Sequence, residues 1–197
     1  MDDIIEIENI IPKSYQKFIL DKVTSLQFPW YFNPNLVSNE DDLKLSNNIQ
    51  GFNHFVFEEQ KQVSPFFDSI YPLYLNIIDQ TSIKFNILER MRFNLTYPNK
   101  ESTLPWHMPH IDSMYPHYNA IYYVNDSDGD TVIFNETNKD YSDDFEFMKE
   151  NNFTVKHRVT PKQGKVVIFP GHYYHSSSFA KESKYRCVLN INLGQIF

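Results

Sequence analysis

The N-terminal part of the sequence has two stretches in which apolar residues recur with helical spacing. Residues 12–26 place apolar side chains at intervals of three or four, which predicts an amphipathic helix of about 15 residues. Residues 64–78 repeat the pattern over a broader face, and Ser64 followed by Pro65 is typical of a helix start. A helix as apolar as the second one is expected to be buried against a sheet.

From residue 83 onward the pattern changes to short apolar or alternating runs separated by Gly, Pro, Asn and Asp. These runs are FNILERMRFNLTY, HYNAIYYV, DTVIF, FTVKHRVT, KVVIF, YYHSSSF and YRCVLNINL. Two similar runs, IIEIENI and FNHFVFEE, occur further upstream. Short strands at such spacing predict a closed or double-sheet β structure.

The polar stretches between these runs predict loops. Residues 33–51 are rich in Asn and are expected to form a surface loop. The acidic residues 138–151 predict a loop with a helical turn, and the slightly longer segment 136–152 is a candidate lid or substrate loop. Because no linker or repeat interrupts the sequence, we expect a single domain over residues 1–197, in which residues 1–82 support a β core formed by residues 83–197.

Composition and charge narrow the class of protein. A hydrophobic content of 41% over 197 residues is enough for a sizeable core without a disulfide, and the single cysteine, Cys187, excludes an internal one. A net charge of −7 disfavours bulk nucleic acid and anionic membrane surfaces as partners. The acidic residues 1–11 do not resemble a secretory signal, and no apolar run approaches the roughly 20 residues of a membrane span. We therefore expect a cytoplasmic protein, encoded by a cell or by a virus that infects it; the oligomeric state is left open.

Three of the seven histidines lie within PWHMPHIDSMYPHY. Taken alone, each histidine is more readily explained as an ordinary core or surface residue than as a ligand. In a strand, however, residues i and i+2 point to the same face, so His110 and Asp112 would project together. A second imidazole from elsewhere would complete two histidines and one carboxylate, a set that holds one face of an octahedral Fe(II) and leaves three positions open.

The second imidazole is expected downstream, at His172 or His175. These two cannot share a strand face, and we favour His175 because it lies well inside a predicted strand. The competing pair, His107 with His110, would need a helix, which Pro109 disfavours.

The ordered set His110-x-Asp112, then His175, then Arg186 resembles the iron(II)/2-oxoglutarate-dependent oxygenase superfamily, and is most similar to its prolyl 4-hydroxylase-like branch. Residues 121–134, IYYVNDSDGDTVIF, resemble a strand-turn-strand of that branch, and PKQGKVVIFPGHYYHSSS resembles its Pro-x-x-Gly turn, strand and distal histidine. The resemblance covers about half of the sequence. It implies a mainly β (α+β) fold, a double-stranded β-helix (a jelly-roll, cupin-like barrel) with the N-terminal helices packed on one sheet.

The resemblance also implies roles for these residues. His110, Asp112 and His175 would bind Fe(II), and Arg186 would form a salt bridge with the far carboxylate of 2-oxoglutarate, since a guanidinium can grip a carboxylate through two hydrogen bonds. The alternative for Arg186 is a surface residue at the start of a strand.

Four further residues are candidate co-substrate contacts. Tyr123 and Tyr97 resemble tyrosines that touch 2-oxoglutarate in this branch, with core packing as the alternative for both. Asn190 and Asn192 share the strand face of Arg186. Polar residues on an otherwise apolar inward face are expected to line the pocket.

The implied activity is hydroxylation of a small-molecule or peptide substrate, such as a peptidyl prolyl or other side chain. It would use Fe(II), 2-oxoglutarate and dioxygen, would release succinate and CO₂, and has ascorbate as a candidate auxiliary reductant. One alternative is a cupin-like metal enzyme that does not use 2-oxoglutarate, which Arg186 would distinguish. The other is a non-catalytic jelly-roll binding module, against which the complete set of three metal ligands argues.

Overall fold

The computed structural model describes residues 3–36, 49–83, 87–141 and 152–194. Two helices and eleven strands occur within these ranges. The elements are β1 Ile5–Ile7, α1 Lys13–Val23, β2 Tyr31–Asn33, β3 Gly51–Glu58, β4 Lys61–Gln62, α2 Phe67–Gln80, β5 Ile87–Thr96, β6 His117–Tyr123, β7 Thr131–Thr137, β8 Val155–Val159, β9 Val166–Pro170, β10 Tyr173–Ser177 and β11 Arg186–Gly194.

The strands form two antiparallel sheets. The larger sheet has the order β1-β9-β6-β11-β5-β3-β2, with β4 paired to β3, and the smaller sheet has the order β10-β7-β8. Residues from both sheets pack together in one apolar cluster, which includes Ile121, Tyr123, Ile133 and Val188. The sheets therefore face each other, and the predicted mainly β jelly-roll is confirmed.

Both helices lie on the outer face of the larger sheet, as predicted. Ile19 of α1 and Leu73 of α2 are fully buried and join strand residues such as Phe93 and Leu189 in the main apolar cluster. The strands alternate apolar side chains toward the helices with other side chains toward the smaller sheet. The helices thus cover one face of the sheet and leave its other face to form a cavity.

The helix boundaries differ slightly from the prediction. α1 ends at Val23, so Leu26 lies beyond the helix and is fully exposed instead of belonging to its apolar face. α2 begins at Phe67, and Ser64 stabilises the turn before the helix. The Ser64 hydroxyl accepts a hydrogen bond from the Phe66 N–H over 3.2 Å.

All nine runs predicted as strands are strands, and β2 and β4 are short additions. Most of the two predicted loops, residues 37–48 and 142–151, lies outside the described residues. Neither helix has the length and apolar character that a membrane crossing requires, as far as the protein is described.

Candidate functional site

Two histidines meet at the edge of the smaller sheet. The His110 N–H donates to the His175 carbonyl over 3.0 Å, and the His175 N–H donates back to the His110 carbonyl over 2.9 Å. This is an isolated antiparallel bridge, so the expectation that His110 and Asp112 share a regular strand is wrong. The bridge itself fixes the two imidazoles side by side, with ring centroids 4.5 Å apart.

Asp112 completes a group of three potential ligands. One donor atom from each of His110, Asp112 and His175 lies within 4.8 Å of the others. Asp112 Oδ2 is 3.5 Å from His175 Nε2, and both side chains are almost fully buried. The structure therefore brings together the three side chains that the sequence singled out, from two distant parts of the protein.

The environment favours the protonation states that bind metals. Burial and the neighbouring His175 lower the pKa of His110 to about 3, so its imidazole is neutral. His110 Nδ1 lies 3.1 Å from the Met108 carbonyl, which assigns the ring proton to Nδ1 and leaves Nε2 free as a ligand atom. Burial opposes ionisation of Asp112, but the His175 hydrogen bond and the Arg90 charge hold its pKa well below the usual range. Two imidazoles and one carboxylate fit Fe(II) with three open positions.

A polar network holds the Asp112 carboxylate in place. Arg90 Nη2 donates to Asp112 Oδ1 over 3.0 Å, and Asn190 Nδ2 donates to Asp112 Oδ2 over 2.9 Å. Asn192 Nδ2 is 3.4 Å from the same Oδ2 and donates to Asn119 Oδ1 over 2.6 Å. Asn190 and Asn192, expected as co-substrate contacts, therefore both contact Asp112, and Asn190 also lines the cavity.

A cavity beside the three potential ligands leads to Arg186. Arg186 Nε donates to the Gly129 carbonyl over 2.8 Å, and Nη2 donates to Thr131 Oγ1 over 2.9 Å. A Cβ at Gly129 would lie 3.1 Å from Arg186 Cδ, so glycine permits this close approach. Arg186 is only 7% exposed, which excludes the alternative of a surface residue. Within the described ranges no carboxylate forms an ion pair with it, so its guanidinium is available to an anion in the cavity.

Tyr123 fits the alternative of core packing, whereas Tyr97 fits neither core packing nor a contact in the cavity. Tyr123 is fully buried behind Arg186, and its hydroxyl donates to Thr131 Oγ1 over 2.7 Å, so it reaches the cavity only through Thr131. Tyr97 is 60% exposed and lies outside the cavity, with its ring against Phe52. The reason is strand parity: Thr96 pairs with Arg186 and lines the cavity, so the next residue points the other way.

The remaining candidate histidines are placed apart from the group of three. The His172 ring lies near Tyr173, with centroids 4.7 Å apart, and His172 does not line the cavity. His107 lines the cavity, and its ring lies 3.8 Å from that of Phe179. The preference for His175 over His172 therefore agrees with the geometry.

Three polar residues of β5 belong to the site and were not predicted. Arg90 holds Asp112, and Arg92 and Asn94 line the cavity from the same face of β5. The signal lies in the run ERMRFNLT, where polar residues alternate with Met, Phe and Leu. That alternation marks a strand with one apolar face and one polar face, and the polar face is the one turned toward the cavity.

Comparisons with known proteins give the fold of this chain. A prolyl hydroxylase from Trichoplax adhaerens, solved with a hypoxia-inducible-factor peptide fragment, matches with a TM-score of 0.65 at 11% identity over 98% of this chain and 84% of that one. A 2OG-Fe(II) oxygenase-family protein from Burkholderia pseudomallei matches with a TM-score of 0.65 at 10% identity, over 98% and 85%. A Pseudomonas putida prolyl-4-hydroxylase matches with a TM-score of 0.58 at 13% identity, over 99% and 94%. No family model and no curated protein matches the sequence.

The similarity extends over nearly the whole length of the protein, so the N-terminal helices belong to the shared architecture as well as the β core. The predicted resemblance to this superfamily and to its prolyl 4-hydroxylase-like branch is thereby confirmed at the level of the fold.

Proposed function

We propose that the protein is an Fe(II)- and 2-oxoglutarate-dependent dioxygenase that hydroxylates a small-molecule or peptide substrate and releases succinate and CO₂. The observation that carries the proposal is the pairing of two features in one cavity. Three donor atoms of the type that Fe(II) prefers converge within 4.8 Å, and two of them belong to His110 and His175, which line the cavity. The same cavity is lined by a buried guanidinium that has no carboxylate partner among the described residues.

Each residue has a distinct task in this proposal. His110, Asp112 and His175 would hold the metal, and Arg186 would bind the far carboxylate of 2-oxoglutarate through its free guanidinium edge. Bound iron together with 2-oxoglutarate would supply the oxidising chemistry with dioxygen. Burial of the site keeps the imidazole of His110 neutral and strengthens the attraction of Arg186 for a carboxylate.

One structural neighbour gives general support for the class of substrate. The Trichoplax adhaerens protein was solved with a peptide fragment, which favours a peptide among the candidates, and small metabolites remain candidates beside it. Ascorbate is proposed only as an auxiliary reductant.

The proposal is tested by adding Fe(II) and 2-oxoglutarate without oxygen, and then admitting air. We expect a weak visible absorption band of the chelate, followed by succinate release in air. His175→Ala should abolish both, while Arg186→Gln should raise the apparent KM for 2-oxoglutarate by roughly 100-fold, since a charged hydrogen-bonded pair is worth a few kcal/mol. Circular dichroism of each variant controls for folding.

Two results would contradict the proposal in different ways. A metal-dependent activity that needs no 2-oxoglutarate and is unaffected by Arg186→Gln would indicate a cupin-like enzyme. A wild-type protein that shows neither the band nor succinate would indicate a non-catalytic binding module.

A further inference from the structure

A second arginine enters the cavity and forms no salt bridge with an acidic residue of the described ranges. Arg92 lines the cavity from β5, and its Nε is buried with no hydrogen-bond partner among those residues. Its Nη2 makes a long hydrogen bond of 3.4 Å to the Leu36 carbonyl, and its Cζ lies 5.5 Å from the Phe55 ring centroid. Burial and the nearby Arg90 lower the pKa of Arg92 to about 10, so it is still cationic at neutral pH.

The charges around the cavity are unbalanced. Arg92 and Arg186 both line it, whereas no Asp or Glu of the described residues does. The one carboxylate among the three potential metal ligands, Asp112, is already paired with Arg90 over 3.0 Å. The charges of Asp112 and Glu58 act on Arg92, but no carboxylate of the described residues pairs with it. A guanidinium whose Nε is buried without a partner among these residues indicates that this wall is suited to an anionic group.

The two guanidiniums serve different parts of the cavity. On the adjacent strands β11 and β5, Arg186 lies opposite Thr96. Arg92 lies opposite Asn190, which is four residues further along β11. Four residues of a strand span roughly 13 Å. Arg186 turns toward Thr131 of β7, whereas Arg92 turns toward Phe55 of β3, so the two side chains have different neighbours. If Arg186 binds the co-substrate, Arg92 is left for another anion.

Unsatisfied acceptors lie next to Arg92. Asn190 Nδ2 is committed to Asp112, so Asn190 Oδ1 must accept, and it is buried with no donor in the described part of the protein. Asn94 lies two residues from Arg92 on the same strand face, and its Oδ1 is also buried with no donor in the described part of the protein. A ligand that satisfies this wall brings an anion for the guanidinium and an N–H group for the amide oxygens.

We infer that Arg92, with Asn94 and Asn190, binds the head group of a substrate that carries a free carboxylate next to an N–H, that is, an α-amino acid or the C-terminal residue of a peptide. The inference rests on the proposed function for the role of Arg186. A carboxylate suits the wall better than a phosphate, because one guanidinium balances the single negative charge of a carboxylate, whereas a phosphate monoester carries nearly two. The oxidised C–H would then belong to the side chain of that amino acid or terminal residue.

The test compares matched probes on the protein loaded with Fe(II) and 2-oxoglutarate without oxygen. The probes are the standard L-amino acids, their N-acetyl derivatives as mimics of a peptide C-terminus, and the corresponding carboxamides. We expect at least one free-carboxylate probe to raise the melting temperature and bind at least tenfold more tightly than its carboxamide. Preference for the free or for the N-acetylated form then identifies a free amino acid or a peptide end as the source.

Variants locate the interaction. Arg92→Gln should weaken the preferred probe at least tenfold, and Arg92→Lys should retain part of the affinity, while the dissociation constant for 2-oxoglutarate changes less than twofold in both. Arg158→Gln removes an arginine that lies outside the cavity and should keep the full carboxylate preference.

Three results would overturn the inference. One is that carboxylates and carboxamides bind equally tightly, or that none of the probes binds. Another is a loss of 2-oxoglutarate affinity in Arg92→Gln, which would assign Arg92 to the co-substrate. The third is binding of inorganic phosphate in preference to every carboxylate. Because binding is measured without turnover, a wild type that releases no succinate but binds carboxylates through Arg92 would contradict the proposed activity and leave the carboxylate site standing.

Discussion

The Arg90 guanidinium donates from Nη2 to Asp112 Oδ1 over 3.0 Å, and this contact turns the other carboxylate oxygen toward His175. Arg90 is itself held by a 2.7 Å hydrogen bond from its Nε to Asn192 Oδ1. The potential metal ligand is therefore oriented from the inner face of β5, by a side chain that does not belong to the group of three. Such partners of a metal ligand set both its direction and its basicity.

Removing Arg90 should weaken metal binding without removing a ligand. We expect Arg90→Ala to lower Fe(II) affinity by roughly 10- to 100-fold. Arg90→Lys should lose less, because it keeps the charge but not the fork geometry. An anaerobic Fe(II) titration gives the affinities, and Arg158→Ala is the control for loss of a surface arginine. Unchanged affinity in Arg90→Ala would show that Asn190 and Asn192 suffice to orient Asp112.

Thr131 is predicted to position Arg186. Its hydroxyl oxygen accepts from both Arg186 and Tyr123, over 2.9 and 2.7 Å. Thr131→Val would leave two buried donors without an acceptor, at roughly 1–3 kcal/mol each, and loosen the guanidinium. We expect the dissociation constant for 2-oxoglutarate to rise roughly 3- to 10-fold.

Two variants separate this effect from a general loss of stability. Thr131→Ser keeps the acceptor and should bind 2-oxoglutarate nearly as wild type does. Tyr123→Phe removes only the hydroxyl that reaches Thr131 and should have a smaller effect than Thr131→Val. If Tyr123→Phe were the most damaging of the three, Tyr123 would contact the co-substrate directly, as the resemblance implied.

The sequence predicted the strands well because their alternation is local, but it did not predict the site fully. Arg90 contacts Asp112 and Asn192, which lie 22 and 102 residues away, so no local pattern connects them. Charged residues within a strand also look like solvent-facing ones until the position of the second sheet is known.

Strand parity explains the error at Tyr97. A shift of one residue moves every side chain of a strand to its other face, and a resemblance in sequence does not fix that register. The pairing of Thr96 with Arg186 does fix it, and this long-range contact is visible only in the folded protein.

His54 should make the protein less stable in mild acid. It is buried, with Nδ1 2.8 Å from the Pro29 carbonyl and Nε2 2.7 Å from Ser64 Oγ. Burial lowers its pKa below the ordinary value of 6.5. Below pH 6.5 the unfolded protein therefore binds a proton that the folded protein does not, so this contribution to stability is complete above pH 6.5 and is lost as the pH falls.

The pH effect is measured by urea unfolding at several pH values between about 7.5 and 5, on either side of the ordinary histidine pKa. His54→Gln should reduce the fall in unfolding free energy by up to about 1.4 kcal/mol per pH unit. Ser64→Ala removes a partner of His54 but keeps the buried imidazole, so it should retain the wild-type slope. An identical slope in His54→Gln and wild type would show that His54 is not the group responsible.

Leu73 tests whether the helices and the sheets form one cooperative unit. It is fully buried on α2 against the larger sheet, whereas Leu75 on the same helix is 43% exposed. Leu73→Ala should lower the unfolding free energy by roughly 2–5 kcal/mol, and Leu75→Ala by less than about 0.5 kcal/mol.

Unfolding is followed by circular dichroism and by aromatic fluorescence. In a single domain over residues 1–197 both signals should change together in every variant, because the larger sheet loses its cover when the helices unfold. A separate, earlier loss of helix in Leu73→Ala, with the fluorescence unchanged, would instead mean that the β core folds without its N-terminal support.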